Sequence, residues 1–124
     1  MFVNCIAIGA GGAIGAILRY LISVAPIPGK ENFPIATLGT NVLGALVIGL
    51  IAGLTLKGYP IDARLSLFLR VGICGGFTTF STFALETTNL FSAGKNVTAV
   101  LYITCSLVLG VFAVMAGEFF AGKI

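Results

Sequence analysis

The sequence predicts an all-α membrane protein: four transmembrane helices in a single domain (1–124), with the third helix broken in mid-membrane. Three observations carry that prediction. Hydrophobic residues make up 58% of the 124-residue chain and charged residues 9%, with a mean hydropathy of +1.12. Soluble domains carry about 25% charged residues. Three long runs (Met1–Leu18, Asn32–Leu56 and Asn96–Gly117) contain no charge at all, and they approach or exceed the roughly 20 residues that cross a bilayer. A fourth apolar run, around Val71–Leu85, contains Gly75-Gly76 followed closely by Thr78, Thr79, Ser81 and Thr82. Glycine pairs weaken a helix, and hydroxyl side chains compete for its backbone. Backbone that leaves the helix at membrane depth must be covered by protein or line a watery cavity, because lipid offers no hydrogen bonds. The broken stretch is therefore where function is expected.

The first span covers about 3–24. Gly9, Gly11, Gly12 and Gly15, interleaved with Ala10, Ala13 and Ala16, let another helix approach closely. The run lacks a basic leader and reads as a helix that stays rather than a signal peptide. Arg19, near the end of this span, either snorkels to the headgroups, attracts anions to a vestibule, or pairs with Glu86. Pro26, Pro28 and Gly29 make the stretch up to Asn32 a loop. The second span covers about 33–56. Thr37, Asn41, Ala45 and Gly49 recur every four residues and share one face. An asparagine at the middle of a span is costly to leave unpaired, so Asn41 either bonds a neighbouring helix or turns its N–H donors to a pore.

Gly58 and Pro60 mark the second loop, and the third span covers about 65–91. After the Gly75-Gly76 break the helix restarts near Thr79. At helical spacing, Phe80, Phe83 and Thr87 then share one face, while Thr79, Thr82 and Glu86 share the next. Glu86 is the only carboxylate well inside a span, free to act in a pore or to pair with Arg19 or Arg70. The fourth span covers about 97–120. Thr98, Tyr102 and Ser106 make a polar track at four-residue spacing in its first half; at the continuation stand Gly110 and Val114, which carry no hydroxyl.

Cys5, Cys74 and Cys105 all lie in spans without a CxxC pairing, and the chain has no histidine. The cysteines read as small apolar residues. Without histidine or a membrane lysine, no nucleophile–base pair can be assembled, so an enzyme is not expected. The basic residues are scattered and form no nucleic-acid surface. Four spans put Lys57, Arg64 and Lys123 on one side and Arg19, Lys30 and Lys95 on the other. So even a distribution gives the positive-inside rule little to act on, and insertion in both orientations is expected.

Three segments resemble the Fluc/CrcB family of fluoride channels. Gly11-Gly12-Ala13-Ile14-Gly15-Ala16-Ile17-Leu18-Arg19-Tyr20 is similar to its first-span GGxxGAxxRY motif. Thr37-Leu38-Gly39-Thr40-Asn41-Val42-Leu43-Gly44 resembles its second-span pattern around an asparagine. Gly75-Gly76-Phe77-Thr78-Thr79-Phe80-Ser81-Thr82-Phe83 resembles its broken-helix motif almost letter for letter.

The resemblance implies an antiparallel, dual-topology homodimer among membrane lipids, with two pores that pass fluoride and exclude chloride. It implies a structural sodium ion (Na+), and no organic cofactor, at the dimer centre on the main-chain carbonyls of Gly75 and Thr78. It places Asn41, Phe80 and Phe83, with the hydroxyls of Ser81, Thr82 and Ser106, along the fluoride path, and Tyr102 and Glu86 near its ends. Phenylalanine rings have a positive edge that meets an anion weakly, and weak multi-site contact is what conduction requires. Passive fluoride efflux is useful mainly in a cell with an inside-negative potential, which points to a microbial plasma (inner) membrane. Two rivals stand beside this reading. One is a dual-topology, proton-coupled exporter of small cations, for which Glu86 would have to serve. The other is an assembly subunit without transport, which leaves the hydroxyl-rich break unexplained.

Overall fold

Residues 1–124 are all described by a computed structural model, which is built of helices throughout. The first two spans are single helices, α1 (Phe2–Val24) and α2 (Ile35–Leu56). The third is assembled from α3 (Ala63–Ser66), a π-helical segment (Leu67–Cys74), α4 (Gly75–Phe77) and α5 (Phe80–Ser92). The fourth is α6 (Asn96–Ala121). Phe2–Val24, Ile35–Leu56, Ala63–Ser92 and Asn96–Ala121 are each long and apolar enough to cross a membrane. These bounds lie within two residues of those expected. The second span starts late because Pro34, which has no N–H, stands at its N-cap. Short loops join the spans, and Gly58 (φ 78°) and Gly94 (φ 74°) take the left-handed conformation that glycine adopts without penalty.

Only 16 of the 124 residues are buried, and Ile17, Leu107 and Phe112 are each more than half exposed. A soluble protein could not sustain so much outward apolar surface; a bilayer covers it. The chain is a multi-pass membrane protein.

Two close-packed pairs build the bundle. A Cβ on Gly11 would meet the backbone of Phe68, Gly72 and Ile73, and one on Gly15 would meet Ile73, Gly76 and Phe77. Both series rise together, so α1 runs parallel to the first half of the third span. In the second pair, a Cβ on Gly49 would meet Val114, and one on Gly53 would meet Glu118 and Ala121. Here α2 runs parallel to α6. Helices in lipid associate through such small-residue contact, since apolar burial gives them no advantage over the acyl chains.

The break is where the structure departs from the sequence expectation. Gly75 is helical (φ −64°, ψ −37°). The chain leaves the helix at Thr78 (φ −82°, ψ 156°) and Thr79 (φ −151°, ψ 119°). Gly76 is small for another reason: a Cβ there would strike the backbone of Gly12 across the helix contact. The helix restarts at Phe80, with the Thr79 hydroxyl accepting from the Thr82 N–H at 3.2 Å as an N-cap.

Candidate functional site

The break is held open by Asn41. Its Nδ2 donates to the Thr79 carbonyl at 3.1 Å, and its Oδ1 accepts from the Thr79 N–H at 2.7 Å. A continued helix would have sent that N–H to the Gly75 carbonyl. The diversion leaves Gly75 without its helical donor, and the Thr78 carbonyl accepts no backbone hydrogen bond. The Thr78 side chain is committed locally, donating to the Cys74 carbonyl at 2.9 Å. Of the two uses the sequence left open for Asn41, a bond to a neighbouring helix or N–H donors turned to a pore, the structure shows the first. It commits one of the two amide N–H groups to Thr79.

Three cavities meet around this clamp. The first, about 260 Å³, is lined by Asn41, Thr78, Thr79, Phe80, Phe83 and Ser106 with Leu107. Phe80 is 78% exposed, and its ring lies 5.7 Å from that of Phe83, tilted by 50°. The Ser106 hydroxyl is buried and has no hydrogen-bond partner. The second cavity, about 230 Å³, is the more polar one and is lined by Arg19, Ser23, Thr37, Thr40, Thr79 and Thr82 among others. Thr79 lines both cavities, so the two stripes predicted on α5 open on different sides of it. The third, about 240 Å³, shares Asn41 and Thr78 with the first and adds Arg70, Cys74, Gly75 and Val114.

The remaining sequence-predicted residues are distributed around these cavities. Arg19 Nε donates to the Gly76 carbonyl at 3.1 Å, and Glu86 accepts from the Thr37 hydroxyl at 2.5 Å. Of the two uses left open for Glu86, the ion pair with Arg19 or Arg70 does not form; separate polar contacts stand in its place. Ser81 is exposed and lies 3.4 Å from the Thr79 hydroxyl. Tyr102 is fully buried, edge-on to Phe83 (5.1 Å) and Phe33 (5.6 Å). Its hydroxyl has Glu86 and Thr37 as polar neighbours but no hydrogen bond of acceptable geometry. Thr40, which sequence reasoning passed over, is buried and lines the polar cavity. Its hydroxyl donates back to the Ala36 carbonyl at 2.7 Å, and no pattern in the sequence marks it as inward-facing.

Comparison with known proteins agrees with this architecture. Residues 6–118 match the family model described as CrcB-like protein, Camphor Resistance (CrcB). The chain is 46% identical to the fluoride-specific ion channel FluC of Ruminiclostridium cellulolyticum, over 98% of this chain and 95% of the relative. It is 40% identical to the protein of that name from Methylobacterium radiotolerans, over 94% of this chain and 83% of the relative. Against the one from Methanopyrus kandleri it is 41% identical, over 90% of this chain and 83% of the relative. These relatives are microbial channels, not enzymes. With a family match across nearly all of its length and all four spans in place, the chain belongs to the CrcB family.

Proposed function

We propose that the protein is a fluoride-selective channel that lets cytoplasmic fluoride leave down its electrochemical gradient. The observation that carries this reading is the cavity of Phe80, Phe83, Asn41 and Ser106, with the Ser106 hydroxyl buried and unpartnered. A buried hydroxyl without a partner is costly, and an anion in the cavity would satisfy it. Fluoride is small and strongly hydrated, so its water must be replaced by donors of this kind. The relatives that match along the chain carry the name of fluoride-specific channels. The unpaired carbonyls of the broken-helix face call for a cover other than lipid. An antiparallel, dual-topology homodimer supplies it, since a two-fold interface needs only one self-complementary surface and the charges of the two ends are evenly balanced.

The carbonyls of Gly75 and Thr78 fit a sodium ion at such a dimer centre. Both are left without the usual helical donors, and two sets facing each other across a two-fold axis would repel. Bound there, sodium would supply the positive charge that holds the two breaks together. The home we infer is a microbial plasma membrane, where an inside-negative potential drives anions outward.

Anion efflux from liposomes tests the reading, with fluoride compared against chloride and Phe80→Ile against the parent. Rapid fluoride efflux with silent chloride, lost in the variant, is expected. A folded parent protein that releases no fluoride would sink it. Proton-coupled cation export through Glu86 would then come first, although Glu86 lines none of the three cavities.

A further inference from the structure

The polar track of α6 ends at Ser106, and its continuation meets the third cavity as Val114, which has no donor. Few donors are left there. The Thr78 hydroxyl is spent on Cys74, and Asn41 has one N–H already bound to Thr79. Arg70 is different. It lies in the membrane-embedded π-helical segment, its Nε is buried, and that atom has no partner. No carboxylate lines its cavity; the other side chains there are Asn41, Ala45, Ile48, Cys74, Thr78 and Val114. An unpaired guanidinium within a membrane span is among the costliest arrangements a chain can hold, and it persists where it faces a cavity and a ligand of opposite charge.

We propose that Arg70 is an anion-binding residue of the conduction path. It takes over where the hydroxyl track stops, drawing fluoride from the Phe80–Phe83 cavity past Asn41 into its own. The proposal rests on the fluoride-channel reading above and adds a site to it. Two features support the assignment. The cavities share Asn41 and Thr78, so they adjoin across these two residues. Guanidinium is also more weakly hydrated than an ammonium, which suits a site that must attract an anion and release it.

The test is fluoride efflux from proteoliposomes as a function of fluoride concentration, for the parent, Arg70→Gln, Arg70→Lys and Ile48→Glu. Loss of a unit charge at cavity distance in a partly shielded medium is expected to raise the half-saturating fluoride concentration about tenfold in Arg70→Gln. Arg70→Lys should stay near the parent. Ile48→Glu, which puts a carboxylate into the same cavity while leaving Arg70 in place, should reproduce the rise. If Arg70→Gln yields no folded protein, Ile48→Glu decides by the same criterion.

An unchanged half-saturating concentration in the neutralised variants overturns the proposal. So does an unchanged concentration with an altered sodium requirement, which would assign Arg70 to the carbonyl site instead. A parent protein without fluoride efflux would be a failure of the channel reading, distinguishable because it precedes any comparison of variants.

Discussion

The two halves of the third span are held by opposite means. Before the break, Gly72 and Gly76 lie backbone to backbone against Gly11, Gly12 and Gly15 of α1, with no side chain between them. After the break, α5 is held by side chains: Asn41 on the Thr79 backbone, Thr37 on Glu86, and Phe83 against Tyr102. Close backbone contact gives a fixed distance and tolerates no added atom. Side-chain bridges fix orientation, yet leave polar groups and cavities beside them. The first half is therefore an anchor. The second borders the Phe80–Phe83 cavity, where the Ser106 hydroxyl of α6 is left without a partner.

The sharpest way to break this comparison is to load the anchor. Gly15→Val and Gly72→Val would drive a branched side chain into the facing backbone, which cannot yield as a flexible side chain could. Overpacking of this kind costs about 1–3 kcal/mol or more. Size-exclusion chromatography after detergent extraction should show little folded protein for either variant. Gly9→Ala and Gly39→Ala, whose added methyls meet nothing within 4 Å, should behave like the parent. Full recovery of the valine variants would mean that the helix contact is looser than the structure has it.

The next expected effect falls on the clamp. Asn41→Ala leaves the Thr79 N–H and carbonyl unpaired, at roughly 1–3 kcal/mol for each buried group. Folded protein should persist with a lowered melting temperature, because the anchor half is untouched, and fluoride efflux should fall about tenfold or more. Asn41→Asp keeps the acceptor for the Thr79 N–H and should lie between. Efflux at the parent rate in Asn41→Ala would separate the shape of the break from conduction.

A milder change lies one turn away. Thr37→Val removes the hydroxyl that donates to Glu86, a loss of about 0.5–1.5 kcal/mol for an ordinary hydrogen bond. A small drop in thermal stability with efflux retained is expected. Abolished efflux with unchanged stability would move Glu86 into the ion path itself.

Much of this was legible in the sequence, for identifiable reasons. The spans could be read because charge is excluded from the bilayer core, so each run ends near a charge, a proline or a glycine. Phe80 and Phe83 could be grouped because helical spacing puts them on one face, whereas Asn41 joins them only through the resemblance to the channel family. The exact break could not. Gly75-Gly76 has two possible physical uses, escape from the helix and close approach, and only the neighbouring Gly12 decides between them. Nor does anything in Leu67–Cys74 announce a π-helix, whose wider turn changes which side chains face α1 and α2. The sequence could not decide, either, between a pore role and an ion pair for Glu86. Charge suggests partners, but Thr37 was the donor within reach.

The smallest effects belong to two hydroxyls on α6 that share a description and differ in surroundings. Tyr102 and Ser106 both bury an oxygen with no partner. Tyr102 is enclosed by the rings of Phe33 and Phe83 and lines none of the three cavities, whereas Ser106 opens on the Phe80–Phe83 cavity. Removing an unsatisfied buried hydroxyl while keeping the shape is nearly neutral or stabilising. Tyr102→Phe should therefore unfold at the same or a slightly higher temperature and pass fluoride at the parent rate. Ser106→Ala should be equally stable but slower in efflux by a few-fold, since the donor it loses is the one an ion would use. If the two results are reversed, with Tyr102→Phe slow and Ser106→Ala unchanged, the ion runs along the aromatic side of α6, and the cavity of Phe80 and Phe83 is its wall rather than its path.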